Sequence, residues 1–174
     1  MVAETLTANQ ARAYIPPFKN HISGVLHVGY GKYSVAANVE DGDIFEMCTV
    51  PPGALVVGGQ YWTSDMDTGT ETLDMDVGWA SNGGGSETIT LADGTTYTNM
   101  GSGSASATGF VNSGVLTGDA ITDLVASGNF RPFNMAAGPV YFSRKTTIQV
   151  EANAAAATFA AGTIFVRVDY IVVG

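Results

Sequence analysis

Short apolar runs separated by turn residues constrain the fold of this chain more than any other feature. From Gly24 onward, segments rich in Val, Ile, Thr, Tyr and Phe are broken at close intervals by Gly, Pro, Asn and Asp. That is the punctuation of β-strands joined by turns. The runs cover Gly24 to Tyr33, Ile44 to Val50, Leu55 to Thr63, Thr72 to Ala80, Glu87 to Leu91, Thr146 to Ala152 and Thr163 to Val173, with weaker ones near Val115 and over Pro139 to Phe142. So many short strands in 174 residues predict a single sandwich or barrel.

Alternation within the runs assigns faces. In Thr163 to Val173, Ile164, Val166, Val168 and Tyr170 alternate with Phe165, Arg167 and Asp169, so the first set is expected in the core. Thr146 to Ala152 repeats the pattern, with Ile148 and Val150 set against a wet face of Thr147, Gln149 and Glu151. The Ala-rich stretch 152–162 between these two strands is expected to be a hairpin connection with small residues packed at a surface. Only Asp119 to Gly128 has helical spacing, with Ile121, Leu124 and Val125 on one face, and one short helix is expected there.

Two regions depart from this grammar. Residues 1–20 show no sustained period and run into Pro16 and Pro17, which favour an extended path, so they read as an extended N-terminal arm. Residues 81–114 are rich in Gly, Ser and Thr and form a long excursion, in which Asp93-Gly94 signals a small projecting β-ribbon. The expected organisation is an arm over 1–20 and one β-sandwich domain over 21–174.

Charge excludes some functions. Sixteen acids against seven bases give a net charge of −9, which is the wrong sign for a nucleic-acid partner. No apolar stretch is long enough for a membrane helix, and Met1 to Gln10 lacks the features of a signal peptide. A soluble chain made in the cytoplasm, with no membrane or nucleic-acid partner, is expected. The single cysteine, Cys48, lies in a strand run and reads as a buried, inert thiol.

Several acidic groupings invite a chemical reading. Asp65, Asp67, Asp74 and Asp76 could supply four carboxylates to calcium, but their spacing does not match an EF-hand loop. The plainer assignment puts Asp65 and Asp67 in a turn, and Asp74 and Asp76 on the wet face of a strand whose other side carries Leu73, Met75 and Val77. Glu40, Asp41, Asp43 and Glu46 surround an Asp-Gly turn and lack an adjacent sugar platform. His21 and His27 are too few for a zinc site, and no nucleophile, base and orienter share a recognisable spacing. No catalytic, cofactor or metal residues are therefore assigned, and an enzyme is not expected. Arg144 and Lys145, with Arg131 nearby in sequence, read as a solvated strand end or a docking surface for an acidic partner. Trp62 and Trp79 lie inside strand runs and are assigned to the core rather than to a carbohydrate platform.

The run from Ile44 to Asp76, with Pro51-Pro52-Gly53-Ala54 and SDMDTGTETLDMDVGW, and the C-terminal TIQVEA and GTIFVRVDYIVV segments resemble small tailed-bacteriophage virion proteins, the capsid decoration or cement proteins. The resemblance implies a jelly-roll-like antiparallel β-sandwich. It also implies binding to the major capsid protein on the capsid exterior of the virion, commonly as a homotrimer, to stabilise the head. The excursion over 81–114 is where departure from relatives is expected. The apolar segment Tyr14, Ile15, Pro16, Pro17 and Phe18 has little sequence context in which to bury itself and is the expected capsid or subunit interface. Removal of residues 1–18 is expected to abolish attachment and leave the fold intact. A carbohydrate-binding or host-recognition module, or a head-fibre or tail component, is the alternative.

Overall fold

The computed structural model describes residues 5–7, 25–64, 66–68, 72–102, 105–111 and 130–173. The expected short helix over 119–128 and the weak strand near Val115 lie outside these residues, as do Tyr14, Ile15, Pro16, Pro17 and Phe18. Among the described residues the fold is all β. No helix there is long and apolar enough to cross a membrane.

The strands in chain order are β1 (Thr5–Thr7), β2 (Leu26–Val35), β3 (Ile44–Val50), β4 (Ala54–Thr63), β5 (Asp74–Trp79), β6 (Thr88–Thr90), β7 (Thr96–Thr98), β8 (Ser106–Val111), β9 (Phe130–Pro132), β10 (Val140–Phe142), β11 (Thr146–Ala154) and β12 (Gly162–Val172). Sheet A has the order β1-β3-β11-β5-β8. Sheet B has the order β10-β4-β12-β2, with β9 also paired to β4. Every pairing is antiparallel except β1 with β3, which is parallel. The result is a jelly-roll-like sandwich.

The period of two produces the core. Ile164, Val166, Val168 and Tyr170 of β12 are all buried and meet Phe45, Met47, Val77, Ile148 and Val150 from sheet A in one cluster. Burying an aliphatic side chain of this kind stabilises by roughly 1.5–3 kcal/mol, so the alternation itself drives the layering. Trp79 anchors one end, with its ring 4.9 Å from Phe110 and 5.3 Å from Phe142, and its indole N–H donates to the Met100 carbonyl at 3.2 Å. A side chain at Gly109 would run into the Trp79 ring, so glycine is what admits the indole.

The sandwich closes along the β2 edge by the same device. Gly29 and Gly31 take inward positions on β2, and a Cβ at Gly31 would collide with the Met47 carbonyl of β3. Absent side chains let the edge strand of sheet B abut sheet A. On β2 the inward set is His27, Gly29, Gly31, Tyr33 and Val35, and the outward set begins Leu26, Val28 and Tyr30.

Two connections differ from expectation. The Ala-rich stretch after β11 is not a hairpin: β11 belongs to sheet A and β12 to sheet B, so it crosses between the layers. A local pattern of strand, small residues and strand is the same for both arrangements, and only the partner strands distinguish them. The excursion does carry the β6–β7 ribbon, turned at Gly94 with φ 87°. That ribbon is folded down on the outside of sheet B, where Ile89, Leu91 and Tyr97 cover Leu55, Tyr141, Ile171 and Val173 in a second small core.

Candidate interaction surface

The acidic residues singled out in the sequence do not converge. Asp65 lies outside the described residues, and no group of three or more potential ligands is placed to hold a metal among the described ones. Asp67 is fully buried, and its carboxylate is saturated by the chain itself. Oδ2 accepts the backbone amides of Thr72 (2.8 Å), Leu73 (3.1 Å) and Ala157 (3.1 Å), and Oδ1 accepts that of Thr158 (2.9 Å). Desolvation opposes the charge, but the amides of Thr72, Thr158, Ala157 and Leu73 outweigh it and hold the carboxyl down to about 2. Asp67 is a structural anchor that ties the turn after β4 to the inter-sheet crossover.

Asp76 also departs from expectation. It is buried rather than solvated, and its Oδ2 accepts the Asn153 amide at 2.6 Å. Its Oδ1 has no hydrogen-bond partner among the described residues. Gln149, expected on the wet face of its own strand, is buried as well. Opposite Asp76 in the register stands Glu151, whose carboxyl is raised by burial and then by the charges of Asp76 and Asp41. The Asp41-Gly42 turn forms as expected, with Gly42 at φ 85° and the Asp43 carboxylate accepting the Glu40 amide at 2.9 Å. Cys48 is buried, which pushes its thiol up to about 12, out of reach of nucleophilic chemistry near neutral pH. His27 stacks on Tyr170 at 5.5 Å, and His21 lies outside the described residues.

The basic residues divide. Arg144 binds Glu87 at 3.2 Å and thereby helps to fasten the ribbon, together with the buried Asn99. The Asn99 side chain accepts the amides of Gly101 (3.3 Å) and Ser143 (3.2 Å), donates to the Gly85 carbonyl (3.0 Å) and bonds Asn82. Lys32 and Arg167 instead lie on the outside of sheet B. Lys32 sits 5.2 Å from the Phe165 ring centroid, and Arg167 grips Asp169 through Nε (2.9 Å) and Nη2 (2.6 Å).

The strands of the two sheets carry opposite charge. Those of sheet A contain Glu46, Asp74, Asp76 and Glu151 and no Lys or Arg, whereas those of sheet B contain Lys32, Arg131 and Arg167 against Asp169 alone. On a chain this acidic, sheet B is where a surface contact meets least repulsion.

That same sheet presents the apolar surface. Leu26, Val28 and Tyr30 project from the outward face of β2 at 58%, 59% and 50% exposure, with Val25 beside them; Val57 and Met100 are the other large exposed apolar side chains among the described residues. Across the register stand Ile171, Asp169 and Arg167 of β12. Trp62 lies on this outer side, not in the core, because Tyr61 and Thr63 take the inward positions of β4; its ring packs on Phe165 at 4.9 Å. The sequence signal for this surface is the LHVGY alternation at the start of β2, where apolar residues fall opposite glycines and the polarity pattern alone does not say which set faces out.

No family model matches the chain, and no curated protein matches it. Solved structures do. The chain is similar to a chain in the capsid of Ralstonia phage GP4, with a TM-score of 0.69 and 18% identity over 98% of this chain and 99% of that one. It is also similar to a chain in the cyanophage Pam1 capsid asymmetric unit, with a TM-score of 0.59 and 22% identity over 94% and 95%. A third is in the acidic stable capsid structure of Helicobacter pylori bacteriophage KHP30, with a TM-score of 0.52 and 14% identity over 87% and 90%. At these identities the likeness is one of fold: the chain shares its β-sandwich, nearly end to end, with chains found in phage capsids.

Proposed function

We propose that the chain is a non-enzymatic virion structural protein of a tailed bacteriophage: a decoration or cement protein that binds the major capsid protein on the capsid exterior as a homotrimer and stabilises the head. The observation that carries this reading is the end-to-end fold correspondence with a chain of the Ralstonia phage GP4 capsid, in which neither chain has a sizeable part left over. A cement protein must be stiff enough to transmit load between shell subunits, and a close-packed sandwich whose crossover and ribbon are both pinned by buried polar groups suits that task. The carbohydrate-binding alternative fits less well, because the Trp62 ring packs on Phe165 at 4.9 Å.

In this reading the segment Tyr14, Ile15, Pro16, Pro17 and Phe18 contacts the shell or a neighbouring subunit. Because β1 is part of sheet A, deleting residues 1–18 would remove a strand, and the cleaner test replaces 14–18 with Gly and Ser. Capsids of the parent phage assembled without the chain are mixed with it and sedimented. The native chain is expected in the pellet and the substituted chain in the supernatant, with an unchanged circular dichroism spectrum. Native chain that stays in the supernatant contradicts decoration; substituted chain that still pellets contradicts only the role of 14–18.

A further inference from the structure

Asn82 is the only asparagine of the chain that is followed by glycine. The pair is chemically distinctive, because glycine has no side chain to keep its backbone nitrogen away from the preceding carboxamide. The Gly83 nitrogen can attack Cγ of Asn82 and close a cyclic imide. A new N–Cγ bond then replaces the Cγ–Nδ2 bond, and the backbone amide proton ends on the departing ammonia. Water, the only co-reactant, adds across one of the two imide C–N bonds. The product is aspartate, or its isomer in which the main chain runs through the former side-chain carbonyl.

The structure exposes the pair to water and holds its carboxamide shut. Gly83 is exposed at φ 64°, with open space around its Cα. Asn82 is half-buried, and Nδ2 donates to Asn99 Oδ1 at 3.0 Å and to Thr146 Oγ1 at 3.0 Å. Oδ1 accepts the Gly84 amide at 2.9 Å and Asn99 Nδ2 at 3.3 Å, while the Asn82 backbone amide donates to the Gly101 carbonyl at 3.1 Å. Glycine at 84 and 101 admits this seat, since a Cβ at either would strike the Asn82 carboxamide. Both bonds from Nδ2 must break before ammonia can leave, and their acceptors sit on buried residues. Asn99 is also the residue that fastens the β6–β7 ribbon, so what holds the ribbon down holds the amide.

We infer that Asn82-Gly83 is a deamidation site locked by Asn99, and that its conversion is a one-way latch that releases the ribbon from Leu55, Tyr141, Ile171 and Val173. An aspartate at 82 has no N–H to give, so it sets an oxygen against Asn99 Oδ1. Asn99 cannot turn round to meet it without losing the amides of Gly101 and Ser143 and the carbonyl of Gly85. Two buried acceptors left facing each other oppose refastening. The added charge also falls close to Glu87, whose Oε2 lies 3.4 Å from Asn99 Nδ2. Ribbon opening is fast beside this chemistry, so the rate in the folded chain follows the open population.

Peptide mapping by mass spectrometry during incubation of the full chain in mildly alkaline buffer tests this, with amide exchange read on the same samples. The native chain is expected to convert Asn82 more slowly than the same chain unfolded in urea, on the order of ten-fold or more. Asn99→Ala is expected to speed conversion on the order of ten-fold, at Asn82 and not at Asn153, which alanine follows. Thr146→Val removes one of the two acceptors and keeps the side-chain shape; its rate is expected between those of the native chain and Asn99→Ala, and it carries the test if Asn99→Ala does not fold. Asn82→Asp is expected to raise exchange over residues 86–98 as Asn99→Ala does, with β12 still protected. Conversion in the native chain as fast as in urea, or absent from both, overturns the site. Rates unchanged in both variants overturn the lock, and native protection of 86–98 in Asn82→Asp overturns the latch.

Discussion

The Asp67 carboxylate accepts the Thr158 backbone amide at 2.9 Å, joining two loops that lie 91 residues apart in the chain. Together with its bonds to Thr72, Leu73 and Ala157, this makes a single side chain the fixture that sets the path of the crossover from sheet A to sheet B.

Asp67→Asn is therefore expected to destabilise the fold by roughly 2–4 kcal/mol, because an amide cannot accept four backbone donors as a carboxylate does and leaves buried N–H groups short of partners. The pH dependence follows from the sign of the shift. The carboxyl is held at about 2 when folded, below its ordinary value of 3.8, so its contribution is fully present above about pH 4 and lost as pH falls towards 2. That part of the acid sensitivity amounts to about 2 kcal/mol. Urea unfolding at pH 6 and pH 2.5 should show the native chain losing most of this increment and the Asn variant lacking it.

Glu151 should behave in the opposite way. Its carboxyl is raised by burial and by Asp76 and Asp41, so ionisation at neutral pH costs stability, and that cost disappears as the group protonates on acidification. Glu151→Gln is expected to stabilise the fold slightly at pH 7, by less than about 1 kcal/mol, seen as a small rise in melting temperature, with the gain fading at acidic pH. A loss of stability at pH 7 would contradict the assignment.

Gly31→Ala places a methyl group against the Met47 carbonyl, where neither backbone can yield without opening the β2 edge. A cost of roughly 1–3 kcal/mol in chemical denaturation is expected. Gly83→Ala is a poor control because its φ is 64°, whereas Gly58→Ala meets only the end of the Asp169 side chain and should be mild.

Asn99→Ala removes the hub that fastens the ribbon, while the main core between the sheets has no part in it. Amide exchange of residues 86–98 is expected to rise on the order of ten-fold or more, with protection in β12 unchanged, as befits local opening rather than global unfolding.

Much of the layering was legible in the residues. β3, β4, β11 and β12 fall within one or two residues of their predicted runs, because strand alternation is written in adjacent positions. What escaped was decided at long range. The crossover after β11 looks like a hairpin until the Asp67 bonds are known. Asp76 reads as solvated because its alternation is correct and its burial depends on strands from elsewhere in the chain. The outward row of β2 was hidden because glycine carries no polarity signal, so nothing in LHVGYG marks the glycine side as the one facing Met47. The short strands β1, β8 and β9 have too little pattern to declare themselves.

Image reconstruction of parent-phage capsids with and without the chain reads out the proposed decoration of the head. Added density is expected on the outer surface at three-fold positions, with copies of the sandwich fitting it. Capsids without outer density after saturation with the chain, or density found only inside the shell or at the tail, would contradict it.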